Sequence, residues 1–215
     1  MKVFCIGFNK MGTSSLNQYF IDHGMKSLHS TDWWYWKDIS NFKKYDCFTD
    51  GYERYNNVAT FPDLDLLEKN FKDCKFILQT RSLFDWMVSR VNQGSYNYLI
   101  GLKSKEIDDE VMYRWIEDRN YWYNKVHEYF EDKSNLIIIN IKDNNEEKIN
   151  RFLGLKDNSI KIKKMHQSTK SKKSLTKDLN KEECKKIVEK FLSKYLEKEE
   201  WYSNGIVKIK KLNIE

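Results

Sequence analysis

Lys10, Thr13, Ser14 and Ser15 stand together in the stretch Gly7-Phe8-Asn9-Lys10-Met11-Gly12-Thr13-Ser14-Ser15-Leu16. Ammonium and hydroxyl groups share one competence, the donation of hydrogen bonds to an anion. The stretch follows the apolar run Val3-Phe4-Cys5-Ile6, so it reads as strand, loop and helix. Gly7 and Gly12 are five apart, the glycine spacing of a Walker A loop. Glycines there let the backbone N–H groups of Met11, Gly12 and the residues after them close round a phosphate at a helix N-terminus. The chemistry then departs from Walker A. Thr13 stands where that loop has its lysine, and Lys10, the only lysine of the stretch, sits where it can reach past the phosphate to a group in transfer. A nucleotide kinase loop, or a strand–turn–helix junction with no ligand, remains the alternative on this stretch alone.

Three further residues have chemistry to offer. Asp50 ends the segment Tyr45-Asp46-Cys47-Phe48-Thr49-Asp50-Gly51, a short strand closed by a turn. A carboxylate at the carboxyl end of a parallel strand faces the ligand crevice, which makes Asp50 a candidate base, with Glu53 in reserve. Asp-Gly also serves simply as a turn or helix cap. Arg81 ends the apolar run Lys75-Phe76-Ile77-Leu78-Gln79-Thr80, and Ser89 lies eight residues on. A guanidinium at a strand end and a hydroxyl two turns into the next helix can converge on one anion. Such pairs are frequent in any sequence, and this one gains weight only from following a strand at the right distance after the loop. His127 reads as a packed or surface helix residue. The cluster Trp33-Trp34-Tyr35-Trp36 can stack on an acceptor ring or fill the core, and the core is the preferred reading.

Elements of alternating type must position these groups. Helices are expected over 13–23, 63–71 and 111–130, with further ones over 146–153 and 181–201, the last burying Ile187, Val188, Phe191, Leu192 and Tyr195. A helical stretch carrying Phe84, Trp86, Met87, Val88 and Ser89 follows Arg81. Strands are expected over 3–6, 45–49, 75–80 and 136–141, with shorter ones at 25–29 and at the edge strand 206–209. The 136–141 strand is strongly apolar and reads as central and parallel. The order predicts one α/β domain over 1–215, a three-layer fold with a mostly parallel central sheet flanked by helices. Residues 161–177 carry Lys161, Lys163, Lys164, Lys170, Lys172, Lys173 and Lys177 with no acidic residue, around His166. This lysine-rich loop is either a solvated basic surface or a flap over a polyanionic ligand.

Composition sets the outer bounds. Of 215 residues 40% are hydrophobic and 33% charged, which excludes a disordered chain. A net charge of +6, spread through the sequence, favours anionic ligands without making nucleic acid the expected partner. Cys5, Cys47, Cys74 and Cys184 lie far apart and read as buried free thiols, which fits a reducing compartment. No run approaches a membrane span and the chain opens on a strand without signal-peptide features, so an intracellular location is expected if Met1 is the natural start.

Taken in order, the loop Gly7–Ser15, Asp50, Phe76-Ile77-Leu78-Gln79-Thr80-Arg81 and Trp86 to Ser89 resemble the P-loop sulfotransferases. The run Arg119–Phe130, the strand at 136–141, Phe152-Leu153-Gly154 and His166 are similar to one branch of that family. The resemblance implies transfer of a sulfuryl group from 3′-phosphoadenosine 5′-phosphosulfate to a hydroxyl or amine, with 3′-phosphoadenosine 5′-phosphate as product. It implies that Lys10 to Ser15 hold the 5′ end, that Arg81 and Ser89 hold the 3′-phosphate, and that no metal is required. Asp50, Glu53 and His29 stay open as bases, with Asp50 preferred. Departures are Ser82-Leu83 after the arginine, where the family often has Asn or Asp and then Pro, and the lack of its C-terminal Lys-Gly-Arg clamp, for which Lys170 or Lys172 would have to substitute. A small molecule or carbohydrate is the expected acceptor, with Trp33, Trp34, Trp36 and the 92–105 loop (Gly94, Tyr96, Tyr98, Gly101) as pocket candidates. A small-molecule kinase and an inactive nucleotide-binding protein are the alternatives.

Overall fold

The computed structural model describes residues 1–51, 54–55, 58–59, 61–94, 107–165, 175–176 and 178–211. The chain divides into two compact units. The first comprises Met1–Tyr52, Thr60–Thr80 and Phe130–His166, and the second Glu53–Ala59, Arg81–Tyr129 and Gln167–Glu215.

The first unit is built on β1 (Val3–Cys5), β2 (Ser27–His29) and β3 (Cys47–Thr49), with β6 (Lys75–Thr80) and β7 (Leu136–Asn140). All five pair in parallel in the order β2-β3-β1-β6-β7. Parallel pairing demands crossovers, and α1 (Thr13–Asp22), α2 (Leu64–Asn70) and α5 (Glu146–Leu153) belong to this unit. The pleat sorts the side chains between two faces. Val3 and Cys5 of β1 join Cys47, Ile77 and Ile139 beneath Leu16, Tyr19 and Phe20 of α1 and Ile149 and Leu153 of α5. Phe4, between them, faces the other way, stacking on Phe48 at 5.1 Å and meeting Phe76, Trp33, Phe42 and Phe71 within 6.0 Å. Trp33 and Phe42 come from short 3-10 helices at Asp32–Tyr35 and Ile39–Lys44. One residue's alternation thus separates a mixed layer beneath α1 and α5 from a mainly aromatic one, giving the three-layer α/β fold.

The second unit holds a two-stranded antiparallel ribbon, β4 (Arg54–Tyr55) with β5 (Val58–Ala59). Its helices are α3 (Leu83–Gln93), α4 (Asp109–Tyr129) and α6 (Lys181–Tyr195). Ser82 caps α3, accepting from the Asp85 amide, and Asn180 with Glu183 forms a capping box on α6.

Three expectations are corrected. The 136–141 strand is parallel but lies at the sheet edge, which is why most of β7 is only half-buried. The C-terminal helix stops at Tyr195 and a 3-10 turn spans Lys198–Tyr202; its stripe includes Cys184, while Ile187 and Tyr195 are half-buried. Residues 206–209 form no strand. Asn120 of α4 instead grips Val207 by its backbone, donating to the carbonyl at 2.7 Å and accepting from the amide at 3.1 Å. The tryptophan cluster behaves as a core, with Trp33 and Trp34 buried. All four cysteines are buried and none is in a disulfide.

Candidate anion site at the strand ends

Parallel strands put their carboxyl ends on one edge, and in the first unit that edge gathers the loop 7–12, His29 and Asp50. Gly7 is pinned from the side: its amide donates to Gln79 Oε1 at 2.7 Å. A Cβ at Gly7 would lie 2.6 Å from both the backbone oxygen and Oε1 of Gln79, so no larger residue fits under that bond. The amide of Asn9 donates to Gly51 O (3.1 Å) and that of Met11 to Phe8 O (3.3 Å), folding the loop on itself. Met11 therefore serves as a buried anchor of the loop. Lys10 takes a left-handed backbone, φ 64°, costly for a residue with a Cβ and characteristic of functional turns. Gly12, φ 72°, is the N-cap of α1 and supplies no capping side chain. The first-turn amides of α1 therefore point out with the positive end of the helix dipole, and no acidic residue occupies that turn.

Around this turn stand the hydroxyls and the acid. Thr13 Oγ1 donates to Asp50 Oδ1 at 3.2 Å. Ser14 Oγ lies 3.0 Å from His29 Nε2. Ser15 Oγ accepts from the Met165 amide at 3.1 Å, so the start of the lysine-rich segment is tied to the helix that carries the loop. Asp50 also has a left-handed backbone, φ 69°, and its carbonyl accepts from the indole of Trp33 at 2.8 Å. The aromatic layer thus fixes the residue that sequence reasoning placed at the strand end. His29 Nδ1 is 3.2 Å from Thr49 Oγ1, its register partner across β2 and β3, and Nε2 is 3.9 Å from Asp50 Oδ2.

Lys10 to Ser15 and Asp50 are thus brought together, and His29 joins them. Arg81 and Ser89 belong to the second unit. Arg81 follows the last residue of β6 and is half-buried; burial draws its pKa below the ordinary arginine value, with the Asp85 carboxylate opposing that. Ser89 is half-buried on α3. Arg119, fully buried, donates to the carbonyls of Gly205 (2.6 Å), Ser203 (3.2 Å) and Arg81 (3.4 Å). Glu53, His166, Lys170, Lys172, Lys173, Lys177, Tyr96, Tyr98 and Gly101 lie outside the described residues. His127 is exposed, and Lys161 to Lys164 precede Met165 in the first unit.

Sequence reasoning missed Gln79 and Thr49. Gln79 is fully buried, and its Nε2 has no hydrogen-bond partner among the described residues. The Gly7 amide fixes which end of the side-chain amide is the oxygen. A lone amide inside the apolar run Phe76-Ile77-Leu78 was a usable signal, because a buried polar group has to find a partner.

Comparison with protein-family models finds no match, and comparison with curated proteins finds none. Among the described residues no helix is long and apolar enough to cross a membrane.

Proposed function

We propose that the chain is a sulfotransferase, moving a sulfuryl group from 3′-phosphoadenosine 5′-phosphosulfate to a hydroxyl or amine of a small molecule or carbohydrate. The observation that carries the reading is the turn at 10–13. A strained Lys10 precedes an uncapped helix N-terminus, with Thr13 bonded to a carboxylate at the end of a neighbouring strand. In this scheme the first-turn amides and the hydroxyls of Thr13, Ser14 and Ser15 hold the 5′-phosphate. Lys10 neutralises charge on the bridging oxygen as the sulfur–oxygen bond breaks. Asp50 takes the acceptor proton. Catalysis is then positioning plus charge stabilisation, as in phosphoryl transfer. Arg81 and Ser89 hold the 3′-phosphate.

The test is calorimetric titration with 3′-phosphoadenosine 5′-phosphate, and separately with ATP and magnesium, on wild type and Arg81→Ala. Metal-independent binding that requires Arg81 supports the cofactor class. Binding of ATP with magnesium and indifference to the 3′-phosphate refutes it in favour of a kinase. Nucleotide binding with no transfer to any acceptor class favours the inactive binding protein.

A further inference from the structure

The ring of His29 is wired in one direction. Thr49 Oγ1 donates its only proton to Leu28 O at 3.2 Å, so toward His29 Nδ1, 3.2 Å away, it acts as acceptor. Nδ1 therefore carries the ring hydrogen, and in the neutral ring Nε2 is a lone pair. That lone pair faces Ser14 Oγ at 3.0 Å, so Ser14 donates to His29. A serine hydroxyl has one proton to give. When a phosphate oxygen arrives at the helix N-terminus and takes it, Ser14 Oγ becomes an acceptor toward His29, and Nε2 must carry a proton to keep the contact.

We infer that His29 takes up a proton from solvent when an anion binds in the loop, becoming an imidazolium that donates to Ser14 and pairs with Asp50. The inference rests on the sulfotransferase reading for the identity of the anion. The proton balance is simple: one solvent proton adds to Nε2, the Ser14 proton turns from nitrogen to phosphate oxygen, and no covalent bond between heavy atoms changes. Asp50 Oδ2, 3.9 Å from Nε2, supplies the counter-charge, and the two side chains are 32% and 23% exposed, so solvent reaches both. Titratable groups also stand on the elements packed round this ring, several of them in contacts of their own. On α1, Tyr19 bonds Asn150 and Asp22 pairs with Lys163. On β3, Cys47 sits at the opposite end, beyond which Asp46 accepts from the Lys26 amide. Asp32 follows β2 and Lys10 lies in the loop that precedes Ser14. The uptake has a use in the proposed reaction. Loss of the sulfuryl group leaves the 5′-phosphate with an extra negative charge, and the imidazolium meets that charge through Ser14.

The sign follows from linkage. The bound state holds more protons than the free state, so nucleotide affinity falls as pH rises, by up to about tenfold per pH unit for one linked proton. The experiment titrates the full chain with 3′-phosphoadenosine 5′-phosphate in two buffers of very different ionisation enthalpy, at several pH values between about pH 5 and pH 8. In parallel, the ring resonances of His29, identified by their loss in His29→Gln, are followed by NMR in wild type. Proton uptake in wild type that vanishes in His29→Gln while binding persists, with the His29 ring moving to its protonated shift on adding nucleotide, supports the inference. Binding without uptake, equal uptake in the variant, or a His29 ring that does not change overturns it and leaves the cofactor reading standing. Absence of any binding by folded wild type overturns both.

Discussion

Replacing Gln79 with leucine separates holding the loop from holding the fold. Two terms oppose each other in the stability. The Gly7 amide loses its 2.7 Å acceptor inside the core, and a buried donor left unmet costs about 1–3 kcal/mol. The same substitution removes Nε2, itself buried and without a partner among the described residues, and returns a desolvation cost of the same size. Leucine is close in volume to glutamine, so no large cavity adds to the balance. The net change expected in urea unfolding is within about 1 kcal/mol, small beside a typical domain stability of about 5–15 kcal/mol. Binding has no such compensation. Gly7 begins the loop, and losing an anchoring bond of net worth about 0.5–1.5 kcal/mol lets the loop sample shapes that hold no anion. At about 1.4 kcal/mol per tenfold, affinity for 3′-phosphoadenosine 5′-phosphate should weaken by about two- to tenfold. A variant destabilised by more than about 3 kcal/mol that binds as tightly as wild type would show Gln79 to be a core residue alone, and the reasoning would be wrong.

Other outcomes follow from the same geometry. Asp50→Asn, assayed with cofactor saturating, should lower turnover by about 10²- to 10⁴-fold without matching loss of cofactor binding; unchanged turnover removes Asp50 as the base. Arg81→Ala should weaken the 3′,5′-bisphosphate by roughly ten- to a hundredfold while leaving adenosine 5′-phosphate nearly unaffected, and equal losses for both would deny it the 3′-phosphate. Gly51→Ala places a Cβ 2.1 Å from the buried Trp34 ring and should lower the melting temperature markedly; a neutral result would mean that the indole layer yields easily. Burial pushes the thiols of Cys5 and Cys47 above their ordinary range, so the folded state keeps protons that the unfolded chain releases near pH 9. Their contribution is present below that pH and is lost as pH rises above it, by up to about 1.4 kcal/mol per unit for each thiol. Urea midpoints between pH 8 and 9.5 should fall, less so in Cys5→Ala and Cys47→Ala, and a flat wild-type profile would contradict the burial.

The fold was legible wherever a local pattern carried it. The apolar run before Gly7, Gly154 at the C-terminal cap of α5 and Asp63, whose carboxylate accepts from the Leu66 amide at the start of α2, each announce themselves within a few residues. The misses are long-range. Leu136–Ile141 is apolar enough for a central strand, yet its place in the sheet depends on which strands pair, and among the described residues β6 alone pairs with it. Residues 206–209 alternate like a strand, but the backbone of Val207 meets Asn120 of α4 and the Lys208 amide donates to Glu200, side chains rather than another strand. Arg119, inside the expected helix 111–130, is fully buried, and three carbonyls, two of them far along the chain, receive its guanidinium. At the site, Lys10 to Ser15 and Asp50 were visible as residue types on expected elements. The meeting of His29 with Ser14 was not, since it needs the register that sets His29 beside Thr49.

The middle position of β1 has a consequence for how the protein is made. Of the five strands of this sheet the first to be synthesised is the middle one, where Val3 pairs with Cys47 in one neighbour and with Lys75 in the other. The last strand, β7, ends at Asn140. At about 5–20 residues per second, residues 3–6 wait about 7 to 27 seconds for the sheet to be complete. Closure of such distant pairs is also slow in a finished chain. Until β3 and then β6 follow, Val3-Phe4-Cys5-Ile6 is a bare apolar segment with unpaired backbone, so the nascent chain offers a chaperone its clearest handhold at the stretch that later carries the loop.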